Sequence, residues 1–549
     1  MKRGDKKQRQ HQVKNSIYFY FLCIMFILLI AFIFVVNFTA FYGKEKRESL
    51  QKKEKVRQET QVIEAVKAKE EVKKEKEPSI YFLTNRESKS QKIIKAQLSN
   101  IKENYGIASS FQSIKNKEVE LLIVDFKQYT NKQVQQLKKW NKQGMTLLFL
   151  EIPNDIELQN HTLKKLLGIK DEKGFIKAKG IRLSGDLFFG TIQEEEKKIE
   201  HVPYMVLRKQ TEVFAHALLK DKTIQNEELP PLFWRHQPSI ESGSVYVLSE
   251  LLSDNQKGYI CITSILENIR ENYLYPIINA YCVGIKGIPY TKKVESPMLE
   301  KRYGRDSLSI QFDIFMPQLL RMSEKYGVPL TLYSREYVKL QTVSDRRMKY
   351  YIEEFLERGS EIGQIDQRGN MQVDSPFYNQ LMDWNDELSF QEQSIRQVNI
   401  PSFENDFEQI EPILLQSAES IRSLGFTCSV LDIDSILESN GKEKQDWKDI
   451  SKQIETVLKI EKERYPWLDR VTISEAILRI QIFKLMEVST KYSDTGIQAK
   501  IDNYAQRAWF YLSTQREIEE IEGGEITSIG NDKYLIKATD NHIKITYRK

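Results

Sequence analysis

Carboxylates are the side chains of this sequence best placed to do chemistry, and histidines are the ones it lacks. Asp313, Glu361, Asp366, Asp432 and Asp434 fall in or beside apolar runs, where a β/α fold would gather them at one mouth. Two carboxyls about 5–9.5 Å apart can hydrolyse a glycosidic bond, one as acid and one as base or nucleophile. Asp313, Asp366 and Asp432 are the candidate catalytic set, and an oxygen-only metal site built from such groups would favour Ca or Mg over hydrolytic Zn. Asp and Glu at strand ends are also ordinary caps and loop residues, which is the competing reading. None of the six histidines lies between His236 and His542, so that stretch cannot supply a His-ligated metal centre.

The thiols offer little. Cys23, Cys261, Cys282 and Cys428 make no CxxC or zinc-knuckle spacing. Cys261 lies in the apolar run "KGYICITSILENI" without the glycine-flanked elbow of a nucleophile, so it reads as core. His201, His216 and His236 are isolated and read as surface or hydrogen-bonded residues. Neither GxGxxG nor GxxxxGK[ST] occurs, and no cofactor is expected.

The elements that would position these residues alternate. "SIYFL" (79–83), "EVELLIVDF" (118–126) and "MTLLFLEI" (145–152) are short apolar runs suited to buried strands. "TNKQVQQLKKWNKQG" (130–144) is a helix with Thr130 or Asn131 as cap and Gly144 as terminator. This is βαβ wiring, which implies a parallel sheet. "SGSVYVLSELL" (242–252) and "KGYICITSILENI" (257–269) are read as further strand-to-helix units. The layout of 79–300 resembles the class I glutamine-amidotransferase-like fold, used here without a nucleophile.

The next region carries a more specific likeness. "DSLSIQFDIFMPQLLRMSEKYGVPLTLY" is read as a strand, an Asp, a helix ending near Gly327 and a second strand. "RRMKYYIEEFLERGSEIGQ" adds a helix and the strand after it. Together they resemble the polysaccharide deacetylase family, whose fold is a distorted (β/α) barrel. In that family a general base, a metal-binding Asp and two histidines form the site. The resemblance puts Asp313 on the base position, while Ile314, Ile365 and Gly369 replace the three metal ligands. The frame Gly359, Glu361, Ile362 and Gly363 is retained. "SIRSLGFTCSVLDIDSIL" (420–437) and "YPWLDRVTISEAILRIQIFKL" (465–485) resemble later segments of deacetylase-like proteins from Gram-positive Pel-type exopolysaccharide clusters. Thr472 and Glu475 have capping-box spacing. Tyr378, Phe377 and Trp384 follow the altered motif and read as packing before sugar stacking.

Ile17 to Val36 is an uncharged run of twenty apolar residues within 17–43, enough for about 30 Å of hydrocarbon at about 1.5 Å per residue. A cleavable signal would be shorter, so an uncleaved single-pass anchor is expected. Six Lys/Arg precede the segment and seven follow it within fifteen residues, so flanking charge does not set the orientation. One N-terminal anchor before a large body favours an extracytoplasmic bulk. The charge-dense stretch 44–78 reads as a solvated helical stalk, with a coiled-coil contact as its alternative. The chain of 549 residues carries +5, all of it in residues 1–16, since the rest holds 76 basic and 76 acidic residues. A neutral body leaves no footprint for nucleic acid.

The expected organisation is a basic tail at 1–16, a transmembrane helix at 17–43, a stalk at 44–78, an amidotransferase-like α/β domain at 79–300, a deacetylase-like barrel at 301–505 and a small C-terminal β segment at 506–549. Its implied partners are the membrane, a polysaccharide and membrane proteins of exopolysaccharide synthesis. The implied work is binding or guiding polymer, or scaffolding, without metal-dependent catalysis. The alternative is a carbohydrate hydrolase, deacetylase or glycosidase, working through Asp313 and neighbouring carboxylates.

Overall fold

The computed structural model describes residues 77–115, 117–220, 228–293, 297–335, 345–365, 371–373, 378–383, 392–394, 397–404, 410–433, 447–530 and 532–548, with Met25 and Thr60 as isolated positions. Apart from those two positions, the segment at 17–43 and the stalk up to residue 76 lie outside the described residues. Among the described residues no helix is long and apolar enough to cross a membrane. The elements below belong to the second of two compact units, Met1–Ala65 and Val66–Lys549.

The first sheet joins β1 (Ile80–Thr84), β2 (Tyr105–Ala108), β3 (Leu121–Asp125), β4 (Thr146–Phe149), β5 (Ile169–Leu183), β6 (Gln193–Leu207), β7 (Thr211–Leu218), β8 (Pro231–His236) and β9 (Val245–Leu248). Their order is β2-β1-β3-β4-β9-β8-β7-β5-β6, parallel through β9 and antiparallel beyond it. The parallel strands are apolar on both faces because helices cover both. Ile80 and Phe82 of β1 face a core that includes Ile94, Leu98, Ile260 and Ile265, while Tyr81 and Leu83 face Val134, Leu137 and Trp140. Thr130 caps the helix Asn131–Lys142 in a capping box with Gln133, as its sequence requires. "KGYICITSILENI" differs from the expected strand-to-helix unit: it is helical throughout, Lys257–Ile269, and buries Cys261. Its length and near-continuous apolar character suit a helix packed on several sides.

β10 (Asn272–Ile277) leaves for the C-terminal region, and β11 (Ala280–Lys286) opens the second sheet. That sheet continues through β12 (Leu330–Ser334), β13 (Glu361–Ile365), β14 (Met371–Val373), β15 (Tyr378–Asp383), β16 (Glu392–Ser394), β17 (Gln397–Glu404) and β18 (Phe426–Asp432). Strands β13-β12-β11-β18-β17 form a parallel half-barrel. Antiparallel β14 and β15 continue it, and a parallel pairing of β15 with β17 closes the ring. The half-barrel therefore begins at 280, inside the span assigned from sequence to the first domain.

The expected strand around 308–312 is helical. Asp306 caps Ser307–Ile310 by accepting from Ser309 N at 2.8 Å, a π turn follows at Gln311–Phe315, and the helix Met316–Tyr326 continues from it. The alternating residues mimic a strand, yet Ile310, Phe315, Met316, Leu319 and Met322 bury one helical face. Gly327 ends the helix in the left-handed conformation, φ 65°, as "KYGV" suggested.

The C-terminal strands β19 (Glu487–Ser493), β20 (Gly496–Asp502), β21 (Trp509–Thr514), β22 (Ile518–Glu522), β23 (Gly524–Gly530), β24 (Lys533–Ala538) and β25 (His542–Tyr547) make two antiparallel sheets, β10-β21-β24-β23 and β19-β20-β25-β22. A tail alone would leave β21 with an open edge. β10, from more than two hundred residues earlier, covers it.

Arg422, on the helix Ile410–Leu424, binds these regions together. Almost wholly buried, it donates to Leu187 O at 2.9 Å, Tyr275 Oη at 2.6 Å and Glu267 Oε2 at 2.7 Å. Lys533 of β24 reaches the same Glu267 oxygen at 2.6 Å. Burial alone would raise the Glu267 carboxyl, but Arg422 and Lys533 hold it down at about 2. Such a group stabilises the fold above its ordinary 4.5 and loses that contribution as pH falls toward 2. Arg422→Met is expected to lower stability by about 3–5 kcal/mol, read from the denaturant midpoint, because it strips a buried carboxylate of a partner. Glu267→Gln should lose less further stability than the parent between pH 4.5 and 2.

Candidate functional site

The carboxyl ends of the parallel half-barrel strands are where a β/α fold of this kind assembles a site. In the ladder Lys286 of β11 stands directly beside Asp432 of β18 on one side and Tyr333 of β12 on the other. Paired residues of a parallel ladder share a face, so the three form one row at the strand ends. Lys286 and Asp432 are half-buried at this rim. Tyr333 is buried, and its hydroxyl accepts from Asn379 Nδ2 of β15 at 2.7 Å. Burial pushes the Tyr333 phenol well above its ordinary range, so it stays a neutral donor and acceptor. Asn379 is fully buried, and its Oδ1 has no hydrogen-bond partner among the described residues.

The floor below this row is dry. Gly284, one step down β11 on the same face, lets Ile473 approach: a Cβ there would lie 3.1 Å from Ile473 Cδ1. Ile473 opens the helix Ile473–Leu485, whose start is fixed from the opposite end of the strands. Ile473 N donates to Thr331 Oγ1 at 2.9 Å, Ser474 N donates to Glu361 Oε1 at 3.0 Å, and Thr331 Oγ1 donates to that oxygen at 2.7 Å. Thr472 caps the helix through Glu475 N, while the Glu475 carboxylate turns to Arg479 and Arg507.

The residues singled out from sequence scatter over this frame. Asp313 is not at a strand end. It lies on the π turn of the crossover helix, more than a third exposed, with Arg305 Nη1 at 2.5 Å from its Oδ2. Ile314 on the same turn packs against the core. Glu361 opens β13, remote from the rim, and serves the Ser474 amide; burial pushes its carboxyl up against those hydrogen bonds. Ile365 closes β13 on the face of Gly363, which pairs with Tyr333, so it contributes apolar surface to the rim. Asp432 reaches the rim, whereas Asp366, Gly369, Asp434, Phe377 and Trp384 lie outside the described residues, and Tyr378 is described only as backbone of β15. Among the described residues no three His, Cys, Asp or Glu side chains converge to hold a metal ion.

His236 is a buried strand residue whose Nδ1 meets Thr211 Oγ1 at 3.1 Å and Gln210 O at 3.2 Å, and burial lowers its pKa. Cys282 and Cys428 are ladder neighbours in the core. Lys286 and Asn379 were missed from sequence. The signal for Lys286 was a cation closing the apolar run "AYCVGIK" just before Gly287.

These placements separate carboxylates that hold the fold from those that lie at the surface. Glu361→Ala should cost about 1–3 kcal/mol in thermal or denaturant unfolding, since Thr331 Oγ1 and Ser474 N lose a half-buried charged acceptor. Asp313→Ala should cost less than about 1 kcal/mol, as expected for an exposed ion pair.

A family model described as an uncharacterised protein conserved in bacteria (DUF2194) matches residues 375–535, spanning part of the half-barrel and most of the C-terminal sheets. No curated protein matches the sequence. Among solved structures, the chain is similar to that of Agd3, a novel carbohydrate deacetylase, with 8% identity and a TM-score of 0.49 over 86% of this chain and 99% of that one. It is also similar to the exo-beta-1,4-mannosidase Op5Man5 from Opitutaceae bacterium strain TAV5, with 17% identity and a TM-score of 0.24 over 35% of this chain and 34% of that one. Identities this low leave the chemistry to be read from this chain's own side chains.

Proposed function

We propose that this chain is a membrane-anchored, extracytoplasmic protein of exopolysaccharide production that binds or guides a hexosamine polymer at the half-barrel mouth. The carrying observation is the row Lys286, Tyr333 and Asp432, with the unfilled Asn379 oxygen behind it. Lysine donates, aspartate accepts and asparagine does both, the mixture that sugar hydroxyl and acetamido groups need. Ile365 and the floor at Gly284 and Ile473 add apolar surface for a ring face. The retained motif frame with Ile314, Ile365 and Gly369 at the ligand positions supports a deacetylase-like body that works without a His-ligated metal. A Pel-like locus, a scaffold for synthesis proteins and an anchor at 17–43 complete the reading.

One observation favours a second reading. Asp432 stands at a strand end beside Lys286, the position from which a carbohydrate hydrolase of this fold would present a catalytic carboxylate. The same set of measurements separates the two. Binding of an N-acetylglucosamine pentamer to the full chain should weaken about tenfold or more in Lys286→Met, the loss expected for one charge-assisted hydrogen bond. No acetate or reducing ends should be released. Release of either product, abolished by Asp432→Asn, would establish the hydrolase instead. Unchanged binding in Lys286→Met would remove the mouth as the polymer site.

A further inference from the structure

β11 and β18 are the two central strands of the half-barrel sheet, and each carries one cysteine. Cys282 and Cys428 are direct partners in the parallel ladder, and both are fully buried. Paired residues of neighbouring parallel strands stand about 4.8 Å apart and point to the same face. The next pair on that face, Gly284 and Val430, shows this contact: a Cβ on Gly284 would lie 3.7 Å from Val430 Cγ2. Cys282 Sγ is directed at β18, where it donates to Thr427 O at 3.5 Å. Lys286 and Asp432 form the pair after that on the same face, at the mouth.

A single buried cysteine is a small apolar side chain and needs no further role. Two in register on one face can do more. A disulfide needs Cα atoms about 4.4–6.8 Å apart and Cβ vectors that do not diverge. In-register neighbours on adjacent parallel strands meet both conditions.

We propose that Cys282 and Cys428 form a disulfide that staples β11 to β18 beneath the half-barrel mouth. The reaction is thiol–disulfide exchange with an external disulfide, that of a thiol oxidase or a small molecule such as oxidised glutathione. One cysteine thiolate attacks a sulfur of that disulfide and releases the other sulfur as a thiolate. The second cysteine then attacks the mixed disulfide and releases the remaining external thiolate. Cys282 and Cys428 together lose two protons and two electrons, and the external disulfide takes them up as two thiols. Once the sheet is assembled both cysteines are shut off from solvent, and burial pushes the Cys282 thiol well above its ordinary range. The exchange therefore belongs to the folding chain, before β11 and β18 are covered, and the finished bond is shielded from reductants. It closes a loop of 146 residues, which restricts the unfolded chain and fixes the strand register that sets Lys286 beside Asp432. The pairing stands on the ladder alone. Its formation in the cell needs an oxidising compartment and so rests on the extracytoplasmic reading above.

Peptide mapping of the full chain by mass spectrometry, with free thiols alkylated in denaturant before digestion, tests this in two preparations. In the first, the chain is reduced, unfolded in urea and refolded in detergent with reduced and oxidised glutathione. The expected product is a linked peptide containing Cys282 and Cys428, lighter than its two thiol halves by two hydrogen atoms, with Cys261 alkylated. Alkylated Cys282 and Cys428 in the refolded chain would overturn the proposal, as would a bond from either one to Cys23 or Cys261. In the second preparation the chain is taken from the cells that make it and alkylated at lysis, and the same linked peptide is expected. A linked peptide after refolding but free thiols at lysis would leave the staple standing and remove the extracytoplasmic reading. The denaturant midpoint gives an independent readout: dithiothreitol should lower it in the parent and leave it unchanged in the double variant Cys282→Ala, Cys428→Ala. An equal response in both proteins would count against the staple.

Discussion

The pair Arg422–Glu267 is the contact on which the arrangement of this protein depends. A guanidinium and a carboxylate removed from water are costly unless every donor and lone pair finds a partner. Here the partners come from distant parts of the chain: Leu187 beside the first sheet, Tyr275 on β10 and Lys533 on β24. Tyr275 also donates to the second Glu267 oxygen at 2.9 Å. The first sheet, the half-barrel's covering helix and a C-terminal sheet are thus held by one network whose members cannot be satisfied separately. Apolar packing would hold the same layers together with less regard to register. A fork of directed hydrogen bonds specifies how they meet.

That junction gives the half-barrel its shape. β10 is pulled into the C-terminal sheet, which leaves β11 as the first strand of the half-barrel, with Lys286 at its carboxyl end. The helix Ile473–Leu485 closes the opposite end, held by Thr331 and Glu361. Glu361, part of the motif frame, is thereby committed to positioning a helix. Among the described residues, the polar groups at this rim are a lysine, an aspartate, a tyrosine and an asparagine.

Local signals were legible wherever a short stretch settles its own hydrogen bonds. Thr130 and Gln133 close a capping box, Gly327 takes the left-handed conformation that ends its helix, and "SIYFL" and "EVELLIVDF" contain strands of the first sheet. The reading failed where burial outranked pattern. "SLSIQFDIF" alternates like a strand, but Asp306 caps it and its apolar residues share a helical face. Asp313 was consequently expected at a strand end and lies beside Arg305 on the helix. Lys286 was overlooked because nothing in "AYCVGIK" says that Asp432 and Tyr333 are its neighbours; they lie 146 and 47 residues away.

Composition and short-range pattern settle several strands and helices of the first sheet, the caps that bound some of them, the lack of histidine between His236 and His542, and the neutrality of the body. These follow from composition and from interactions within about one helical turn or one strand. How each carboxylate is paired follows instead from packing, because its partners lie far apart in the chain. Asp125 stands at a strand end, yet Arg86, Ser88 and Gln91 occupy its carboxylate. Glu361 supports a helix while Asp432 reaches a rim. Side-chain type sets what each group could do, and the ladder and the packing around it set what it is left free to do.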